Sequence, residues 1–83
     1  MQLKITWKLE EDKSIDLYVP DSQAIKDTIE VLENSGYLSA NSHIWIKYIR
    51  SQRTRKTLSV LETYKNCNIL NGDIVEIVSK EEI

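Results

Sequence analysis

The chain is poor in the residues that carry most protein chemistry. Its single cysteine, Cys67, excludes an internal disulfide and suits a reducing compartment. Its single histidine, His43, stands without cysteines or suitably spaced carboxylates, so no zinc pattern exists and an exposed or edge position is expected for it. Two glycines, Gly36 and Gly72, cannot build a glycine-rich phosphate loop. No apolar run approaches the roughly 18 residues of a membrane-crossing helix. The acids Glu10-Glu11-Asp12 lack the spacing of a calcium loop and read as a solvated turn. With no Ser-His-Asp order and no catalytic carboxylate pair, the expectation is a non-enzyme without cofactor or metal.

What is present fits one domain spanning residues 1–83. A chain of 83 residues, 41% hydrophobic and 29% charged, supports one modest core. Met1 to Lys4 pass straight into strand pattern, without the shape of a secretory signal, and a cytoplasmic location is expected. The net charge of −2 hides a segregation. Residues 1–42 carry four lysines against eight acids, a balance of −4. Residues 43–72 carry six cations against Glu62, a balance of +5, and residues 73–83 return to −3.

Periodicity supplies the elements. Leu3, Ile5, Trp7 and Leu9 alternate with polar residues, as do Ile15, Leu17 and Val19 after the polar stretch 10–14. These two runs predict a hairpin with one buried face, ended by Pro20. Asp21 or Ser22 is expected to cap a helix over Gln23–Asn34, where Ala24, Ile25, Thr28, Ile29 and Leu32 recur at helical spacing. Gly36 fits the left-handed position past the helix end. A loop over 37–43 should lead to a third strand, 44–50, and a turn at 51–54 to a weaker strand, 56–61. An irregular helical turn over 62–68 and a last strand over 73–79 follow. The pattern alone gives an α+β fold, β-β-α-β-β-β with one long helix.

The closing segment carries a resemblance. Asn71-Gly72-Asp73 is a tight turn into a β-branched strand, which is how a ubiquitin-like domain ends. The implied fold is a β-grasp with mixed sheet order 2-1-5-3-4. The chain has no terminal Gly-Gly; it ends Glu81-Glu82-Ile83, bulky and charged, so conjugation is not expected. Trp45-Ile46-Lys47, Asn66-Cys67-Asn68-Ile69 and Asn71-Gly72-Asp73-Ile74-Val75-Glu76-Ile77-Val78 resemble the small YukD/EsaB proteins of Gram-positive type VII (ESX-like) secretion clusters. That resemblance implies a cytoplasmic, non-conjugated ubiquitin-like accessory recruited to a membrane secretion complex, docking onto machinery components without inserting into the membrane. It offers no catalytic residues. It also matches Cys67 to a small packed side chain, in keeping with the usual burial of free cysteine.

Two surfaces are candidates for docking. If Ile44, Ile46 and Tyr48 point inward, Trp45, Lys47 and Ile49 point outward. If Val75 and Ile77 point inward, Ile74, Glu76 and Val78 point outward. The outer sheet face would then show Trp45, Ile49, Ile74 and Val78 together, an apolar patch of the kind that meets a protein partner. The second surface is the basic hairpin of Lys47, Arg50, Arg53, Arg55 and Lys56, beside Trp45 and Tyr48. It reads as a solvated hairpin tip or as a protein-docking edge whose charge steers association. The alternative reading is a small nucleic-acid-binding regulator that uses the same hairpin, 47–56.

Overall fold

Strict alternation decides the first hairpin. In the computed structural model, which describes residues 1–78, strand β1 (Gln2–Glu10) pairs antiparallel with β2 (Lys13–Pro20). Leu3, Ile5, Trp7 and Val19 are buried, and Leu9, Ile15 and Leu17 pack against them. The turn is tighter than the polar stretch implies: Glu10 pairs with Lys13, and the extra residue is absorbed by a bulge between Lys8 and Glu10. Helix α1 (Ile25–Asn34) covers this face with Ile25, Thr28, Ile29 and Leu32, one stripe at i, i+3, i+4 and i+7. Its end is a Schellman motif. Gly36 sits at φ +83, Tyr37 N–H donates to Leu32 O (2.9 Å) and Gly36 N–H to Glu33 O (3.1 Å).

The start of α1 corrects the expected cap. Neither Asp21 nor Ser22 caps it; the N-cap is Ala24, which has no side-chain cap bond. The Ile25 and Lys26 N–H groups instead donate to the backbone carbonyls of Glu62 (3.0 Å) and Val60 (2.9 Å). The chain at 60–65 thus lies antiparallel to 21–26, with Tyr64 N–H on Gln23 O (3.2 Å) and Lys65 N–H on Asp21 O (2.8 Å). Tyr64 is fully buried here. Its hydroxyl lies 2.6 Å from that of Thr28, which donates onward to Gln23 Oε1 at 3.1 Å. Thr28 has one hydroxyl proton, so Tyr64 must be the donor to Thr28. Trp7 Nε1 is buried beside this chain, near enough to lower the phenol pKa slightly but without a hydrogen bond of its own.

The middle of the chain departs most from the sequence pattern. Residues Ser42–Trp45 form a short helix, α2, and strand β3 is only Tyr48–Ser51. The cause is distant in sequence. The Glu33 carboxylate, from the last turn of α1, accepts the His43 N–H (2.6 Å) and contacts the His43 ring (2.8 Å). Ser42 Oγ donates to Ser39 O (2.6 Å), and Asn41 turns the chain at φ 70. One helical turn there changes the parity of β3. Ile46 and Ile49, three apart, both enter the core, and Tyr48 faces out.

Strand β4 (Thr57–Ser59) is shorter than expected, and β5 (Ile74–Ile77) closes the sheet in the order β2-β1-β5-β3-β4. β5 runs parallel to β1 and antiparallel to β3. This is the expected β-grasp. The turn before β5 is tied to β1: Lys4 N–H donates to Asn71 Oδ1 (2.8 Å), Gly72 N–H to Lys4 O (2.7 Å) and Thr6 N–H to Asp73 O (3.0 Å). Gly72 supplies the φ of +88 that this turn requires. The expected end of the last strand at Ser79, and the Glu81-Glu82-Ile83 terminus, lie outside the described residues.

Two stability predictions follow from these contacts. Trp7→Ala should cost about 3–5 kcal/mol as a large core truncation, and Tyr64→Phe about 1–3 kcal/mol through the unmet Thr28 oxygen, both read by urea unfolding. Burial pushes the Tyr64 phenol pKa from 10.0 up to about 12. The folded state therefore holds this proton more tightly than the unfolded chain. Its contribution is full below pH 10.0 and is lost as the pH rises towards about 12; Tyr64→Phe should flatten that alkaline loss. At the acid end, partial burial raises the Glu33 pKa but the His43 N–H and ring outweigh it, and the net shift is downward. The Glu33 contribution is then present above the ordinary value of 4.5 and lost as the pH falls through the lower folded value. Glu33→Gln should remove this acid dependence and speed amide exchange across Ser42–Trp45.

Candidate functional site

Directly paired residues share a face, so the register defines the outer side of the sheet. One row crosses all five strands: Ser14, Lys8, Glu76, Arg50 and Thr57. Its charges alternate in sign, and Arg50 lies 3.7 Å from Glu76. The next row holds Asp16, Thr6 and Ile74, with the Thr6 hydroxyl donating to Asp16 at 2.6 Å. This face is largely polar, as is usual for a sheet side without a helix.

The outer apolar patch expected from sequence is therefore not formed. Ile49 has 0% exposure and lies in the core, paired with Ile77. Val78 is 1% exposed, with its N–H on Tyr48 O. Ile74 does face outward, at 37% exposure. Trp45 is 38% exposed, but on α2 rather than on the sheet. For Ile49 the physical reason is the parity change imposed by α2, which exchanges the two faces of β3. Val78 lies past the end of β5 at Ile77, where strand alternation no longer holds.

The basic hairpin is also altered by its contacts. Arg53 Nε donates to Asp73 Oδ1 (2.9 Å) and its terminal nitrogen to Asp73 Oδ2 (3.1 Å) and Asn68 O (2.8 Å). The bond to Asp73 raises the Arg53 pKa above its ordinary value, against partial burial. Asp73 is buried and also accepts the Leu70 N–H (2.8 Å), so this arginine braces the turn before β5. Lys47, Arg55 and Lys56 are exposed. Arg55 takes a left-handed conformation (φ 63), closing a loop in which its N–H donates to Ser51 O at 2.8 Å.

An apolar concavity lies elsewhere, between α1, the α2–β3 connection and the segment after β4. It has a volume of about 400 Å³. Ile29, Ile46 and Val60 form its apolar floor; Tyr48 and Leu61 stand at its sides, with Lys26, Glu30, His43, Lys47 and Ser59 around them. Leu61, beside this apolar floor, is 74% exposed. Of the sequence-derived candidates only Lys47 lines this groove. Sequence reasoning missed the rest because they come from three separated segments, although Val60-Leu61 directly after a short strand was a visible signal.

The remaining reactive groups are quiet. Cys67 packs against the core as expected, and burial, with the Glu62 charge, pushes its thiol pKa up, away from the nucleophilic thiolate. His43 sits on α2, bound to Glu33. Among the described residues no cluster of His, Cys, Asp and Glu is placed to hold a metal ion, and no helix is long and apolar enough to cross a membrane.

No protein-family model matches the chain, and no curated protein matches its sequence. Solved structures do match. A protein designed de novo on the basis of ubiquitin is 16% identical with a TM-score of 0.71, over 95% of this chain and 89% of that one. The ubiquitin of Caldiarchaeum subterraneum is 13% identical with a TM-score of 0.67, over 96% and 95%. The ubiquitin-like domain of the Mycobacterium tuberculosis type VII secretion system protein ECCD1 is 14% identical with a TM-score of 0.60, over 95% and 99%. Likeness at such low identity carries the architecture, and the chain has the ubiquitin-like β-grasp fold.

Proposed function

We propose that the protein is a ubiquitin-like interaction module that docks non-covalently on a protein partner, as a cytoplasmic accessory of a type VII secretion system. The observation that carries the docking reading is the groove: an apolar floor of Ile29, Ile46 and Val60, open to solvent beside exposed Leu61 and Tyr48. A concave apolar site with a few polar groups at its border is the usual form of a recognition site. The secretion reading draws support from the YukD/EsaB-like segments at 45–47 and 66–78, and from the shared fold of the ECCD1 domain. Lys47 lines the groove, and Trp45, Arg55 and Lys56 are exposed on the flanking segments and belong to the proposed docking surface; Ile74, exposed on the outer sheet face, leaves it. Ile49 and Val78 leave it because they are buried.

The contacts of the basic hairpin weigh against the nucleic-acid reading. Arg53 is committed to Asp73 and Arg50 lies beside Glu76, so the hairpin presents less positive charge than its sequence count. No active role for Cys67 or His43 is proposed, and the module is read as a non-enzyme.

Affinity capture of the tagged protein from its native organism, with mass spectrometry of the eluate, tests the proposal. Subunits of a type VII secretion apparatus should be recovered and should be released by denaturant. Recovery of partners unrelated to secretion would overturn the secretion assignment. An adduct that survives denaturation and adds mass to the intact chain would overturn non-covalent docking.

A further inference from the structure

The groove borders an open sheet edge, and the two together specify an occupant. Strand β4 is the last strand of the sheet. Ser51 N–H donates to Lys56 O (3.1 Å) and Val60 N–H to Lys47 O (3.1 Å), which fixes the parity of the hairpin. Lys56, Leu58 and Val60 direct their backbone groups at β3, and Thr57 and Ser59 direct theirs outward. The Ser59 carbonyl is used by Glu62 N–H (3.2 Å). Among the described residues the Thr57 N–H and C=O and the Ser59 N–H have no partner, and they remain for another chain. A strand laid here would turn alternate side chains towards α1, into the apolar groove.

Charge narrows the chemistry of that strand. Lys26 and Lys47 stand on the groove and Arg55 and Lys56 flank the start of β4, while Glu30 is the one acid among the groove-lining residues. Among the described residues two further acids lie close by: Glu62, next to Leu61, accepts from Asn66 Nδ2 (3.3 Å), and Glu33 already serves the His43 N–H and ring. Lys26, Lys47, Arg55 and Lys56 outnumber the uncommitted acids Glu30 and Glu62, so among the described residues the balance over groove and edge is positive.

We propose that β4 and the adjoining groove bind an extended segment of a protein partner, one that places a bulky apolar side chain next to an acidic one. The segment adds to the β4 edge through the Thr57 and Ser59 backbone. Its apolar side chain rests on Ile29, Ile46 and Val60, and its acid meets Lys26 or Lys47. Four or five residues span the contact, because the edge itself is only three residues long. This inference rests on the reading of the protein as an interaction module, but not on the secretion assignment.

The test starts from a displayed library of random decapeptides panned against the purified protein. Enriched peptides should pair Leu, Ile, Val or Phe with a neighbouring Asp or Glu. A synthetic copy of the most enriched peptide should shift the amide resonances of Lys47, Ser59, Val60 and Leu61, and should slow amide exchange at Thr57 and Ser59. Lys26→Glu with Lys47→Glu, and separately Leu61→Asp, should each weaken the peptide about tenfold or more. All three positions are exposed, so the fold should be unaffected, which circular dichroism checks. Absence of enrichment, enrichment of basic peptides, shifts confined to β2 or the outer face, or unchanged affinity in the variants would overturn the proposal. Displacement of the peptide by single-stranded RNA or DNA would assign the positive edge to nucleic acid and overturn it equally. Native capture reads the secretion assignment independently: secretion subunits without a peptide motif, or a motif without those subunits, tells the two apart.

Discussion

The contact on which the rest depends is the antiparallel laying of residues 60–65 against the start of α1. Four backbone hydrogen bonds and the Tyr64–Thr28–Gln23 hydroxyl chain join them. Backbone donors at a helix start must find acceptors. Here they find them about 35 residues away, so the helix gains its cap only when the second half of the chain has folded onto the first. Buried polar groups raise stability only when every partner is in place. The Tyr64 phenol meets that condition by donating to Thr28. The buried Trp7 N–H does not, which makes the Trp7–Tyr64 contact a place where packing outweighs hydrogen bonding.

The same contact creates the groove. By holding Val60 against the N–H of Lys26, it sets Val60 and Leu61 alongside α1 and leaves Leu61 standing in solvent. The opposite wall depends on a second long-range bond, Glu33 to His43, which winds α2 and delivers Ile46 to the groove floor. A third, Arg53 to Asp73, fixes the turn that feeds β5 between β1 and β3. Two of these three braces set a carboxylate that is nearly buried against a partner side chain that is half-exposed. Their worth lies in direction more than in energy, since each orients a backbone turn that has few other constraints.

Charge segregation along the chain takes on a different meaning once folded. The basic middle segment does not become one uniform cationic surface. Arg53 is withdrawn into a brace and Arg50 enters an alternating row with Glu76 and Lys8. Lys47, Arg55 and Lys56 stay exposed around β3 and β4, joined by Lys26 from the acidic half. The positive region of the folded protein is smaller than the sequence count and drawn from both halves.

Local pattern determined the first hairpin, the face of α1, the left-handed Gly36 and the Asn71-Gly72-Asp73 turn into the last strand. Each of these is set by period two, period 3.6 or a positive φ, and each acts over a few neighbouring residues. With the family resemblance, this was enough for the β-grasp and its strand order. Tertiary structure decided the rest. Ile44 to Arg50 is apolar on both faces and has no alternation strong enough to fix its register, so the Glu33–His43 bond was free to set it. Ile49 left the expected patch with Trp45, Ile74 and Val78 for that reason, and Val78 because β5 stops at Ile77. The groove was not legible, because its walls come from segments whose proximity no local period records.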